Sequence, residues 1–231
     1  PVGTTIIHPL RLIGSNNAQS NGLWSDITPL VAYWGLNNDS NETALAVWNP
    51  IIQADVFLDS GSTIPMPPIA WIPNSTELVF RNPTGDVQVS DMACMMSSCG
   101  QNPLTMGVTL APSSANHIQI TTSHAYYLDN QIVYGVDLAC RNTNNCIDSR
   151  FVIGTQAVPL SMLHGRGEHL VFTAYEYDAN NGTDRIIQWV DLSCVPACTP
   201  QTIFNGALAG TLSPSGNFLM IDIINEGLHI L

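Results

Sequence analysis

Gly135-Val-Asp-Leu-Ala-Cys140 has two counterparts in the chain, Val89-Ser-Asp-Met-Ala-Cys94 and Trp189-Val-Asp-Leu-Ser-Cys194. Each reads Asp, Leu or Met, Ala or Ser, then Cys. Each is followed four to six residues later by a second cysteine: Cys99, Cys146 and Cys198. Three close pairs point to three local disulfides, each closing a tight loop. Zinc sites favour two-residue knuckle spacings and usually draw four ligands from two knuckles, and no histidine repeats beside these pairs. Zinc and unpaired thiols therefore rank behind disulfides, and disulfides imply an oxidising compartment.

A turn and an apolar strand also recur, three times upstream of a cysteine pair and once more after the last pair. They read Ile72-Pro-Asn-Ser-Thr-Glu-Leu-Val-Phe80, Ala111-Pro-Ser-Ser-Ala-Asn-His-Ile-Gln-Ile120, Leu163-His-Gly-Arg-Gly-Glu-His-Leu-Val-Phe172 and Ser213-Pro-Ser-Gly-Asn-Phe-Leu-Met-Ile221. A first copy spans residues 28–49, with strands at Leu30–Trp34 and Ala44–Trp48. The motif aspartates 91, 137 and 191 lie 46 and 54 residues apart. Short strands repeating at this period indicate propeller blades. Within 107–156 the alternation predicts strands at Val108–Leu110, Ile118–Thr122, Ile132–Asp137 and Arg150–Ile153, with turns at 112–116 and 128–130. No segment sustains a capped apolar period of 3.6, so almost no helix is expected.

At these residues the chain resembles the TolB-like, WD40-like β-propeller repeats of bacteria and archaea. Their Ser-Pro-Asp/Ser-Gly turn before an apolar strand matches Ser213–Gly216 with Phe218–Ile221. Their strand ending in Asp-Leu matches Val136–Leu138 and Val190–Leu192. The resemblance implies an all-β propeller of about five four-stranded antiparallel blades that serves as a rigid platform. The paired cysteines depart from the usual pattern of such repeats and imply a more exposed, extracellular setting.

The expected organisation is one domain over 1–231, with an N-terminal closing strand and linker at 1–25. Blades are expected near 26–66, 67–106, 107–156, 157–206, and 207–231 completed by strand-like residues 4–13. Strand 4–13 could close its own ring or be donated to a neighbouring subunit, giving filaments by strand addition. Pro9 suits an edge position in either case.

Composition narrows the function. The chain has a net charge of −12, no lysine and six scattered arginines. No basic face can form, which excludes nucleic acid and anionic membrane surfaces as partners. Charged residues are only 10% of the chain, so Asn, Ser, Thr and Gln must supply the polar surface. No apolar run is long enough to span a bilayer as a helix. The start at Pro1-Val2-Gly3 has neither an initiator Met nor a basic leader, which suggests a processed or excerpted chain. The expected location is secreted, extracellular or cell-surface, ahead of the periplasm.

No motif points to catalysis. There is no Gly-x-Ser-x-Gly elbow, and His164-Gly-Arg-Gly-Glu168-His169 falls in a repeat turn. A glycosidase would need two carboxylates flanking a cleft; Glu176 is the one glutamate outside an obvious turn. Asp91, Asp137 and Asp191 recur once per blade, which argues for a structural role in binding the hairpin backbone. Asp178, Asn180 and Asp184 form a weak calcium candidate without the regular loop order, and Asn181-Gly182 reads as a hairpin turn by itself. No metal or other cofactor is expected. Asn38, Asn41, Asn74 and Asn181 are candidate glycosylation sites. His124, Tyr126, Tyr175 and Tyr177, on corresponding strands of neighbouring blades, are the candidate binding face for a protein or glycan. The expected role is non-catalytic, with self-association and a glycan-acting hydrolase as alternatives.

Overall fold

The computed structural model describes residues 22–37, 42–52, 54–58, 68–143, 146–158, 164–166, 169–178, 182–212, 218–223 and 226–230. These residues form five antiparallel sheets, each a meander in chain order. Sheet 1 comprises β1 (Leu23–Trp24), β2 (Val31–Asn37), β3 (Glu42–Asn49) and β4 (Ala54–Leu58). Sheet 2 comprises β5 (Pro68–Trp71), β6 (Glu77–Arg81), β7 (Val87–Asp91) and β8 (Val108–Ala111). Sheet 3 comprises β9 (Asn116–Ile120), β10 (His124–Asp129), β11 (Ile132–Asp137) and β12 (Phe151–Gly154). Sheet 4 comprises β13 (His164–Arg166), β14 (His169–Asp178), β15 (Gly182–Asp191) and β16 (Gln201–Asn205). Sheet 5 has three strands: β17 (Ala207–Leu212), β18 (Leu219–Ile223) and β19 (Gly227–Ile230). Among the described residues, helical structure is confined to short 3-10 turns.

Successive sheets stack face against face, and period-two alternation sends neighbouring side chains to opposite cores. In β10, Tyr127 packs with Val79, Val89 and Leu110 of sheet 2, whereas Tyr126 and Leu128 pack with Leu170 and Phe172 of sheet 4. Trp34 and Leu45 meet Leu78 and Phe80 between sheets 1 and 2, and Val171 and Ile187 meet Leu219 and Ile221 between sheets 4 and 5. Each middle sheet is thereby apolar on both faces. An ion pair, Arg141 to Glu77, ties the turn after β11 to the start of β6.

The repeated motif occupies the end of the third strand of sheets 2, 3 and 4. The aspartate closes the strand, and its Oδ1 accepts the backbone N–H two residues on. The pairs are Asp91 with Ala93 (2.8 Å), Asp137 with Ala139 (2.8 Å) and Asp191 with Ser193 (2.9 Å). This bond satisfies an orphan donor of the 3-10 turn that follows. The next residue is the apolar plug: Met92, Leu138 and Leu192 are all buried. The fourth position supplies the cysteine, and the pairs Cys94–Cys99, Cys140–Cys146 and Cys194–Cys198 are disulfides. A loop this small stabilises by about 2 kcal/mol in the chain-entropy account.

Sheet 1 carries the same turn without cysteine. Asn49 ends β3, and its Oδ1 accepts the Ile51 N–H at 2.9 Å. Asn49 is buried, and its Nδ2 donates to Met95 O of the next sheet at 2.8 Å. An aspartate could not make that second bond.

Three expectations change. The strand at Val108–Leu110 pairs with β7 as the outer strand of sheet 2, rather than opening the third blade. After the cystine loop the chain returns along the strand it has just left. The turn expected at 128–130 falls at Asn130 and Gln131, both with positive φ (48° and 68°), while Leu128 and Asp129 stay in β10. The turn at 112–116 links two sheets, whereas 72–76 lies within one, so the two are not equivalent. The fifth sheet's expected closing strand, residues 4–13, lies outside the described residues.

Replacing Asp137 by Ala should cost about 0.5–2 kcal/mol in urea unfolding, because the turn loses its cap. Asp137→Asn should stay within about 0.5 kcal/mol of the wild type, since asparagine caps as well as aspartate. Equal losses in the two variants would contradict the capping role.

Candidate functional site

The aromatic candidates lie on second strands of neighbouring sheets but do not converge. His124 begins β10 opposite Asp137, and His169 begins β14 opposite Asp191, so the two strands share a register origin. Tyr126 lies two residues along its strand and Tyr175 six along its own. The offset of four residues amounts to roughly 13 Å. Tyr126 is buried in the core between sheets 3 and 4, whereas Tyr175 is half-buried on the alternate face of sheet 4, opposite Arg185. The side chain of Tyr177 lies outside the described residues.

His124 is a half-buried member of a small aromatic group. Its ring stacks on Tyr126 at 5.9 Å and meets Phe151 edge-on at 6.1 Å, and its Nδ1 lies 2.8 Å from Ser123 Oγ. Gly135, opposite Tyr126, leaves the space that the Phe151 ring occupies; a Cβ there would strike the ring. The same register exposes a recurrence. Phe80, Tyr127 and Phe172 occupy one position relative to the capping aspartate, and each packs toward the preceding sheet.

A second candidate is an open polar cleft of about 350 Å³ at the hairpin end of sheet 3. Ser114, Asn116, Asn130 and Gln131 line it, with Leu128 as its apolar member. The sharp β10–β11 turn presents Asn130 and Gln131, the connection from sheet 2 supplies Ser114, and the start of β9 supplies Asn116. The polar lining is amide and hydroxyl, which suits hydrogen bonding to a neutral polar ligand. Asp129 stands behind it, buried, and accepts from Asn130 Nδ2 at 3.0 Å. No sequence motif marks these residues, because two separate turns contribute them.

The carboxylate candidates sit on an exposed hairpin. Glu176 and Asp184 face each other across β14 and β15, and both are exposed. Asp178 pairs with Gly182 at the hairpin end, its side chain outside the described residues, as is Asn180. Among the described residues no three His, Cys, Asp or Glu side chains converge on a metal position. Asn74 is exposed with φ 57°, and its N–H donates to Asp26 Oδ2 at 2.9 Å. Asn38, Asn41 and Asn181 lie outside the described residues.

The clear shifts in ionisation belong to structural groups. The Ser193 N–H holds the Asp191 carboxyl below its ordinary value. Burial pushes the Tyr126 phenol up to about 12, and burial, with Asp55 nearby, does the same for Tyr33.

No protein-family model matches the sequence, and no curated protein matches it. Solved structures do. The β-propeller domain of the trilobed protease from Pyrococcus furiosus, described as having an open velcro topology, aligns with a TM-score of 0.54 at 11% identity. The alignment covers 91% of this chain and 67% of that one. Kluyveromyces lactis Hsv2 aligns at 0.52 and 11% identity, over 88% of this chain and 58% of that one. A puromycin hydrolase aligns at 0.53 and 9%, over 93% of this chain and 38% of that one. The chain thus spans well under two thirds of the length of Hsv2 and of the hydrolase. At these identities the likeness concerns the fold, which is that of a β-propeller.

The two raised phenols have a consequence for stability. Their folded-state pKa exceeds the unfolded value, so they favour the folded chain fully below about pH 10. That contribution is lost as pH rises through about 12. Thermal stability should therefore fall above about pH 10, with a late class of tyrosinate absorbance in the folded chain. Tyr126→Phe should flatten the decline; an unchanged profile in that variant would contradict the assignment.

Proposed function

We propose that this chain is a non-catalytic extracellular or cell-surface propeller, a structural and binding module for protein or glycan partners. The observation that carries the reading is the open side of sheet 5. Met220 pairs with Ile230 and Asp222 with Leu228, which sets Met220, Asp222, Leu228 and Ile230 on one face, with Asp222 its one charge. That face is opposite the one packed on sheet 4, and Leu228 and Ile230 are 68% and 74% exposed. Among the described residues β19 has no neighbour beyond β18, so its outer edge has no strand partner there. An unpaired edge beside an apolar row accepts an extended segment by strand addition.

The open velcro topology of the trilobed protease propeller is a precedent for a propeller whose ring is not sealed by a shared strand. Three local disulfides fit an oxidising environment, which supports the extracellular placement. The uncharged lining of the sheet 3 cleft suits a neutral glycan. Against the hydrolase alternative, Glu176 and Asp184 stand on an exposed hairpin rather than across a cleft.

Two experiments test the reading. Panning short strand-forming peptides against the chain should yield alternating apolar sequences. Their binding should disappear with Leu228→Lys and Ile230→Lys, while the melting temperature holds. Binders indifferent to both substitutions would sink the open-edge reading. Incubation with a panel of polysaccharides should release no reducing ends; release that Glu176→Gln abolishes would establish the hydrolase instead.

A further inference from the structure

We propose that the cleft at the hairpin end of sheet 3 is a binding site for a neutral sugar ring carried on an uncharged glycan. The inference rests on the binding role proposed above, gives its glycan arm a site and a ligand class, and makes no use of the edge of sheet 5.

The β10–β11 hairpin turns on two residues, Asn130 and Gln131, and both have positive φ. Asparagine enters that region readily, and glycine fills the second position of such a turn without strain. Gln131 stands there instead, exposed, with its side chain on the cleft wall. The strain is not isolated. His117, next to Asn116, has φ 49°, and Gln156 has φ 60°. Ala157, the neighbour of Gln156, donates its N–H to Gln131 O at 2.9 Å. Four of the five non-glycine residues with positive φ among the described residues thus border the cleft. Backbone held in sparsely populated conformations gathers at ligand clamps.

The polar groups of the wall are oriented in advance. Asn116 Nδ2 donates to Ser114 O at 3.0 Å, and Asn130 Nδ2 donates to Asp129 Oδ1 at 3.0 Å. A carbonyl and a carboxylate oxygen both accept, which fixes the nitrogen end of each amide and turns each Oδ1 away. Among the described residues neither Oδ1 has a partner, nor has the Gln131 amide or the Ser114 hydroxyl. Arg81 donates to Gly85 O at 2.7 Å and to Ala115 O, which holds the connection that carries Ser114.

These groups both donate and accept, above the buried side chain of Leu128. A sugar ring matches them with hydroxyls at its edge and a C–H face for the leucine. The Asp129 carboxylate behind the cleft and the net charge of −12 oppose an anion. An extended peptide would need unspent main-chain groups. Here Ser114 O, Gln131 O and the Ala115 N–H, which donates to Pro112 O at 3.0 Å, are already engaged. The volume of about 350 Å³ lies at the small end of ligand pockets, about 300–1,000 Å³, and suits one or two rings.

Saturation-transfer NMR and calorimetry on the full chain should detect binding within a panel of methyl glycosides of glucose, galactose, mannose, fucose and N-acetylglucosamine. Methyl glucuronide should bind more weakly than methyl glucoside. Gln131→Gly should weaken binding about three- to tenfold while the melting temperature holds or rises, because glycine relaxes the turn. Asn116→Ala, on a separate element, should weaken it by a similar factor. Absence of binding across the neutral panel, or binding untouched by both substitutions, would overturn the proposal. So would uncharged tetrapeptide amides that bind through Gln131 where no sugar does. Leu228→Lys/Ile230→Lys should leave sugar binding unchanged. Strand-forming peptides that bind where sugars do not would remove the cleft site alone; sugars that bind where such peptides do not would remove the open-edge reading alone.

Discussion

A sheet that is apolar on both faces must be covered twice, and everything else in this molecule follows from that demand. Tyr126 and Tyr127 are adjacent in β10 and both buried, one toward sheet 4 and one toward sheet 2. A two-layer sandwich would leave one of them in water. Only a stack of sheets accommodates both, and the twist between successive sheets turns a stack into a propeller. Low charge is the compositional trace of this constraint. With only 10% charged residues, the chain can bury two faces per sheet and still solvate its turns with Asn, Ser and Thr.

The Asp-Leu-Ala-Cys motif makes each sheet end where the stack requires. The aspartate captures the first donor of the turn, the leucine or methionine plugs the core, and the cystine holds the loop closed. Three weak devices thus act on one reversal of direction. Sheet 1 shows which of them is indispensable. It dispenses with the cystine and the buried plug but keeps the side-chain cap in Asn49. Backbone satisfaction at the strand end is therefore the common element, and the disulfides are added reinforcement at about 2 kcal/mol each.

The motif was legible because cysteine and aspartate are rare enough to be noticed in threes. Its role in the hairpin backbone could also be anticipated, since aspartate competes for nearby N–H groups. The phase of the repeat was harder. Outer strand β8 and inner strand β9 are both short apolar runs beside a polar turn, so a sequence cannot say which belongs to which sheet. The turn at Asn130-Gln131 was displaced by two residues because Leu128-Asp129 has turn-like composition, yet both side chains are buried. Asn49 has no cysteine beside it to mark the turn in the sequence. The recurring aromatic at Phe80, Tyr127 and Phe172 is visible only in register. The β14–β15 hairpin is far longer than β6–β7, so the distance to the aspartate varies along the chain. The cleft at Ser114 and Asn130 left no signal, being assembled from two turns of ordinary amides.

The same logic sets the last sheet apart from the interior ones. Interior sheets spend both faces on one another, and ionisable groups there are absorbed in caps and cores, as Asp191 and Tyr126 are. What remains is a terminal sheet whose inner face is packed and whose outer face is not. Leu228 and Ile230 alternate with His229 along β19, and His229 lies on the packed side of the strand opposite Ile221. The exposed row is therefore a continuation of the alternation that builds each interior core, stopped one sheet short. This exposed face, patterned like a core, is what supports the proposed binding role. Its pattern of alternate apolar residues beside an unpaired edge fits an extended strand better than it fits a helix or a small molecule.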